Sequence, residues 1–185
     1  MVLLALSARQ SLLLIADGAR WIRAFFTETL APIPTRTMIL DWYHLAQKCL
    51  ELSSRLCRGK VARAQFLRRL YRRLWCGDVA AAIAFLQAYR PQAKNEAILE
   101  TLIAYLHARE AWIPNYRQRR INQHSVGSGH VEKANDLIVA RRQKGRGMQW
   151  SLATSDGLAA LRTLMLNGGW DRYWQQRQVL PRAAS

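Results

Sequence analysis

The chain has 185 residues, half of them apolar (50%) and 22% charged, which is the composition of a globular protein with enough length for one ordinary core. Its 28 Lys and Arg against 12 Asp and Glu leave a net charge of +16, which favours a polyanionic partner through long-range attraction and counterion release. Nucleic acid leads that class, with anionic lipid and a merely basic soluble protein as the alternatives. Cys49, Cys57 and Cys76 are odd in number, lack CxxC spacing and have no histidine array beside them, so neither a disulfide framework nor a zinc site is supported, and a reducing cytoplasm fits.

The opening run VLLALSARQSLLLIADG is apolar, but Arg9 interrupts it and Asp17 closes it. It is too short for a membrane span and carries no signal-peptide cleavage pattern, so no targeting segment is expected. From Leu12 the order is LLLIAD, Gly18, ARWIRAFFTETL with apolar residues at helical spacing, the breaker APIPTR, and TMILD. This predicts strand, helix, strand. The continuous apolar runs LLLI and MIL suit parallel strands covered on both faces, with the helix as a right-handed crossover. Asp17 and Asp41 then stand at the carboxyl ends of parallel strands, the edge where ligands collect in open α/β sheets.

Beyond Asp41 the segments WYHLAQKCLELSSRLC, VARAQFLRRLYRRLW, DVAAAIAFLQAYR and NEAILETLIAYLHARE each repeat at helical period, with breaks at Gly59-Lys60, Cys76-Gly77 and Arg90-Pro91-Gln92. No further strand and no fixed-period repeat is expected. WIPNYRQRRINQHSVGSG reads as a basic surface loop. Ser128 is positioned to cap a following helix, HVEKANDLIVARRQK, which GRGMQWS ends at glycine. Two short helices, LAALRTLMLN and GWDRYWQQRQ, precede a polar tail.

Each candidate site residue has a structural as well as a chemical reading. An Asp after a strand starts a turn or caps the next helix. Alternatively, carboxylates from separate strands converge on magnesium, whose two-metal chemistry activates water or a DNA hydroxyl and stabilises the leaving oxygen of a phosphodiester. Asp41-Trp-Tyr-His44 sets a carboxylate at a strand end and an imidazole in the first turn of the next helix, close enough to steady each other beside a metal. In VARAQFLRRLYRRLW, Phe66, Leu67, Leu70, Tyr71, Leu74 and Trp75 form one face, and Arg63, Arg68, Arg69, Arg72 and Arg73 surround it. Those arginines are either a solvated side of a packed helix or phosphate contacts that position a duplex without reading its sequence.

The blocks Asp17-Gly18-Ala19-Arg20-Trp21-Ile22, Leu40-Asp41-Trp42-Tyr43-His44, Gly127-Ser128-Gly129-His130-Val131-Glu132 and Gly147-Met148-Gln149-Trp150-Ser151, in that order, resemble those of ISKra-type insertion-sequence transposases, which are similar to the Mutator-like and hAT group. The resemblance spans nearly the whole chain. It implies an α/β, predominantly helical fold: a partial ribonuclease-H-like core over 1–45, a helical insertion over 46–111, and a return to the core over 112–185 with a glutamate-bearing helix. It implies a DDE transposase that cuts and transfers DNA strands with Mg2+. Asp17 corresponds to the second catalytic aspartate, Asp41 and His44 to the Asp/Cys-x-x-His motif, and Glu132 to the final glutamate. Arg141, Arg142, Lys144 and Arg146 follow as a DNA-facing segment. Implied partners are transposon-end and target DNA, and a second copy or a full-length transposase.

No acidic residue precedes Asp17, so the first aspartate and its strand have no counterpart here, and the chain alone is expected to be inactive. The competing expectation is a non-catalytic basic DNA-binding remnant or regulator of transposition. By helix geometry, Val131, Ala134 and Ile138 form the apolar stripe of the glutamate-bearing helix, with Glu132 on its flank.

Overall fold

Residues 11–176 are described by a computed structural model. The beginning of the apolar N-terminal run, the last two residues expected in the final helix and the polar tail lie outside the described residues. The chain forms two compact units, residues 1–128 and 129–185.

In the first unit, β1 (Leu12–Ala16) and β2 (Arg36–Leu40) pair in parallel, from Leu12 opposite Arg36 to Ala16 opposite Leu40. The connection holds α1 (Arg20–Ala24), which widens into a π-helical turn over Phe25–Thr29. There the Thr27 hydroxyl donates back to the carbonyls of Arg23 and Ala24, a competition with the helix ladder that suits such a turn. Arg36 closes the following breaker by donating to Ala31 O at 2.6 Å and Ile33 O at 2.8 Å. Among the described residues these two strands are the whole sheet. The expectation that both strands are covered on both faces holds for Met38, Ile39 and Leu40 of β2 but not for β1, where Leu13 is exposed and Leu12, Leu14 and Ile15 are half-buried. The physical reason is that β2 runs into the helical core, which Leu40 joins, whereas no described residue of β1 belongs to that core.

The four segments with helical period form α2 (Trp42–Leu56), α3 (Lys60–Trp75), α4 (Val79–Tyr89) and α5 (Glu96–His107). Asp41, Asp78 and Asn95 cap the first, third and fourth by accepting backbone N–H bonds, each cap worth about 1 kcal/mol. Helix α2 packs on α3 and α5, and α4 packs on the same two. Their apolar stripes meet in a core that contains Leu45, Cys49, Leu56, Leu70, Leu86 and Leu102. Burial pushes the Cys49 thiol up to about 12, so it is a packing group and not a nucleophile.

The segment expected to be a loop is partly helical. Asn115 accepts from Gln118 N and starts α6 (Tyr116–Ile121), which the mixed polar and basic composition of NYRQRRI concealed. Tyr116 is fully buried against Trp42 and Trp75, with ring centroids 5.2 and 5.9 Å away, and its hydroxyl donates to Leu40 O at 2.8 Å.

The second unit is helical throughout its described residues. It comprises α7 (Gly129–Asn135), a π-helical turn over Asp136–Ala140, α8 (Arg141–Gln143), α9 (Leu152–Leu166) and α10 (Trp170–Gln176). Ser151 caps α9, which begins earlier than its apolar pattern predicts. Gln143 and Ser155 clasp each other, with Gln143 Nε2 donating to Ser155 O and Ser155 Oγ donating to Gln143 Oε1. The chain is thus α/β in class and mostly helical. No described helix is long and apolar enough to cross a membrane.

Leu70 lies at the centre of the first unit's core and is fully buried. Leu70→Ala should lower unfolding free energy by about 2–5 kcal/mol in urea titrations. Gly77→Ala should cost about 1–3 kcal/mol despite adding a single methyl, because Gly77 has φ +74° and a Cβ there would stand 2.8 Å from Asn115 N.

Candidate functional site

The Asp41 side chain is buried at the end of β2, and each of its oxygens has two donors. Oδ1 accepts from Tyr43 N at 2.7 Å and His44 N at 3.3 Å, as the cap of α2. Oδ2 accepts from Ser128 N at 2.5 Å and from the Ser128 hydroxyl at 2.6 Å, tying in a residue 87 positions further along. The close approach requires glycine at position 127, since a Cβ there would stand 2.6 Å from the Tyr43 ring and 3.1 Å from Asp41 Oδ1. Burial by itself would push the Asp41 carboxyl up. The bonds from the Ser128 hydroxyl and N–H, then those from His44 and Tyr43, outweigh it and hold the carboxyl below its ordinary value. His44 Nδ1 lies 3.6 Å from Asp41 Oδ2, with nearly half of the imidazole side chain exposed.

Asp17, after β1, has the opposite environment. It is exposed, and Oδ1 accepts from Ala19 N at 2.8 Å in the turn that begins the crossover. Its neighbour Gly18 has φ +82°, and a Cβ there would meet Arg109 Nε at 2.9 Å, so glycine is what lets Arg109 from the end of α5 reach the strand edge. Arg109 donates to Gly18 O and Tyr105 O and lies over the Tyr105 ring at 4.1 Å. Asp17 and His44 line one open groove of about 370 Å³, together with Lys48, Glu51, Tyr105 and Arg109. Burial raises the Tyr105 hydroxyl pKa; Arg109 opposes that shift, and Asp17 adds to it across the groove. Lys48 and Glu51 approach each other at 3.9 Å on its α2 wall.

These donor sets separate the two aspartates chemically. Mg2+ takes hard oxygen ligands, keeps much of its water shell, and is commonly held by one or two carboxylates with substrate phosphate. Asp17 fits that role: it is exposed at a strand end and only one of its oxygens is occupied by a backbone donor. Asp41 does not, because its roughly four acceptor positions are filled by four protein donors. It orients the strand end, the start of α2 and His44.

Glu132 lies in the first turn of α7 in the second unit and is exposed. The expected apolar stripe of that helix is not buried at Val131 or Ala134, and Ile138 is half-buried. Of the DNA-facing candidates, Arg141 is held by Asp136 at 2.8 Å, whereas Arg142, Lys144 and Arg146 are exposed around the helix end and Gly147. On α3, Arg68, Arg69 and Arg72 are exposed. Arg73 is half-buried, donates to Arg69 O and sits 4.8 Å over the Phe85 ring, so it is committed to packing.

Sequence reasoning missed Arg109 altogether and gave Ser128 a helix-capping role without its bond to Asp41. Arg109 ends an ordinary helical pattern and carries no local signal. The glycines flanking Ser128 were the visible sign of a tight approach, but nothing in the sequence identified the group approached.

Asp41→Asn should cost about 1–3 kcal/mol, because an amide nitrogen would face donors where a carboxylate accepted them. The folded-state pKa of Asp41 is depressed, so its stabilisation is present above the unfolded value near 3.9 and fades as pH falls through the folded value. Urea midpoints measured from pH 7 down to pH 3 should therefore fall less steeply for Asp41→Asn than for the wild type. No protein-family profile, curated protein or solved structure matches the chain.

Proposed function

We propose that this chain is the C-terminal part of a DDE transposase that cleaves and transfers DNA strands, acting on DNA in the cytoplasm. The observation that carries the reading is the pair of parallel strands ending in Asp17 and Asp41, with Asp17 and the Asp41-oriented His44 on one groove. That arrangement supports a partial ribonuclease-H-like core with the helices α2–α5 as its insertion. Asp17 is a Mg2+ ligand in this reading, and Glu132 enters as the other carboxylate through the sequence resemblance alone. The resemblance assigns no residue of the chain to the first aspartate.

When bound, Mg2+ supplies Lewis-acid stabilisation of the phosphodiester oxygens. The protein's own groups do the rest. Asp17 holds a carboxylate at the strand edge, and Gly18 admits the Arg109 guanidinium beside it. His44 offers an exposed imidazole that can take or give a proton, its position set by the buried Asp41. Arg68, Arg69 and Arg72 supply positive charge along α3, and Arg142, Lys144 and Arg146 do so in the second unit.

A second reading, a non-catalytic DNA-binding regulator of transposition, is favoured by the saturation of Asp41, which leaves Asp17 as the unsaturated strand-end carboxylate in the first unit. Metal binding separates the two. Titrated with Mn2+ and followed by electron paramagnetic resonance, the chain should bind the ion, and Asp17→Asn should weaken binding at least tenfold; equal titrations would favour the regulator. In both readings the duplex is held by its phosphates. The double substitution Arg68→Gln, Arg72→Gln should weaken binding to all duplex sequences alike and flatten the slope of log affinity against log salt by about 2.

A further inference from the structure

Helices α3 and α4, with Gln92 of the turn that follows, line an open cavity of about 230 Å³ whose inner wall is Phe66 of the core, and neither the resemblance nor the proposed chemistry uses it. Its apolar wall is aromatic. Phe66 stands 5.5 Å from Phe85 and 4.8 Å from Tyr89, ring centroid to centroid, and the three planes are tilted by 37–55° from one another. Two of the lining positions, 62 and 88, are alanine, whose small side chains leave space. Phe66 is buried, whereas Phe85 and Tyr89 are half-buried and so present ring surface to the opening.

The rim is polar and lacks acidic residues. Gln65 and Gln92 bring side-chain amides with no protein hydrogen-bond partner among the described residues, and each amide can donate and accept. Arg69 adds an exposed guanidinium to the lining, and Arg73 lies over the Phe85 ring. Ligand pockets for larger molecules run to roughly 300–1,000 Å³, and a smaller cavity of this kind takes one planar ring system. Aromatic walls, exposed amides and arginine on one rim are the chemistry that stacks and edge-bonds a nucleobase while holding its phosphate.

We infer that this cavity binds a single unpaired nucleobase of single-stranded DNA, stacked on Phe85 and Tyr89 and met at its edge by Gln65 and Gln92, with Arg69 on the adjoining phosphate. The inference rests on the nucleic-acid reading above and adds to it a preference for unpaired DNA. A paired base cannot enter, because its ring faces are covered by its neighbours and its edge by its partner. Duplex DNA therefore meets the exposed arginines without entering the cavity.

The test uses the full chain and a 12-nucleotide single strand carrying central 2-aminopurine, alongside the same strand in a duplex. Binding should quench the 2-aminopurine in the single strand but not in the duplex, and affinity should be about tenfold or more higher for the single strand. Ala88→Leu fills the cavity from an exposed helical position that leucine suits, and keeps every charge. It should abolish the quenching and the single-strand preference while leaving duplex affinity within twofold. Gln65→Ala with Gln92→Ala should lower single-strand affinity alone. Three outcomes would overturn the inference: equal affinity for both forms, quenching that survives Ala88→Leu, or equal competition against the single strand by polyphosphate, which has charge and no bases. Duplex binding without single-strand preference would leave the proposed function standing, whereas failure to bind either form would remove its DNA component as well.

Discussion

The buried carboxylate of Asp41 ties the end of β2 and the start of α2 to Ser128, 87 positions further along. A charge at that depth persists because four donors meet it: two backbone N–H groups at the start of α2, and the N–H and hydroxyl of Ser128. Asp41 N also donates to Ala16 O, so the same residue continues the strand pairing where the side-chain network begins. Trp42 N donates to Val126 O, and Tyr116 donates to Leu40 O on the residue before Asp41. The end of β2 is in this way over-determined, and the exposed His44 inherits a defined position from it. Removing one partner leaves several polar groups unmet at once, which is why the network behaves as a unit.

That rigidity explains the division between the two strand-end aspartates. Asp41 has exchanged chemical availability for structural effect, its lone pairs filled by the protein. Asp17, one strand away, keeps an exposed carboxylate beside a groove that also carries His44 and Arg109. The two positions look alike in the sequence, an Asp after an apolar run, and differ only in what the rest of the chain brings against them.

The excess of positive charge divides in the same manner. Arg36, Arg63, Arg73 and Arg109 bond backbone carbonyls, and Arg63 also bonds the Ser53 hydroxyl, so part of the +16 sits in arginines that work as internal braces. Arg90 is engaged by Glu96 and Glu100. Arg68, Arg69 and Arg72 on α3, and Arg142, Lys144 and Arg146 at and beyond α8, are by contrast exposed.

Local pattern was enough to determine β1, β2 and the four helices α2–α5, because apolar period, glycine breaks and the caps Asp41, Asp78 and Asn95 are encoded within a few residues of where they act. Helix α6 escaped because its burial depends on one residue, Tyr116, in a polar segment, and the exposure of β1 escaped because apolar composition says what a strand could bury and not what covers it. At the candidate site the sequence identified Asp17, Asp41 and His44 as chemistry-bearing residues. Only the tertiary structure decided that Asp41 is saturated, by Ser128 at a separation of 87 residues, and that Arg109 reaches Gly18 across 91. Hydrogen-bond saturation and groove membership depend on contacts between distant segments, and no local periodicity carries that information.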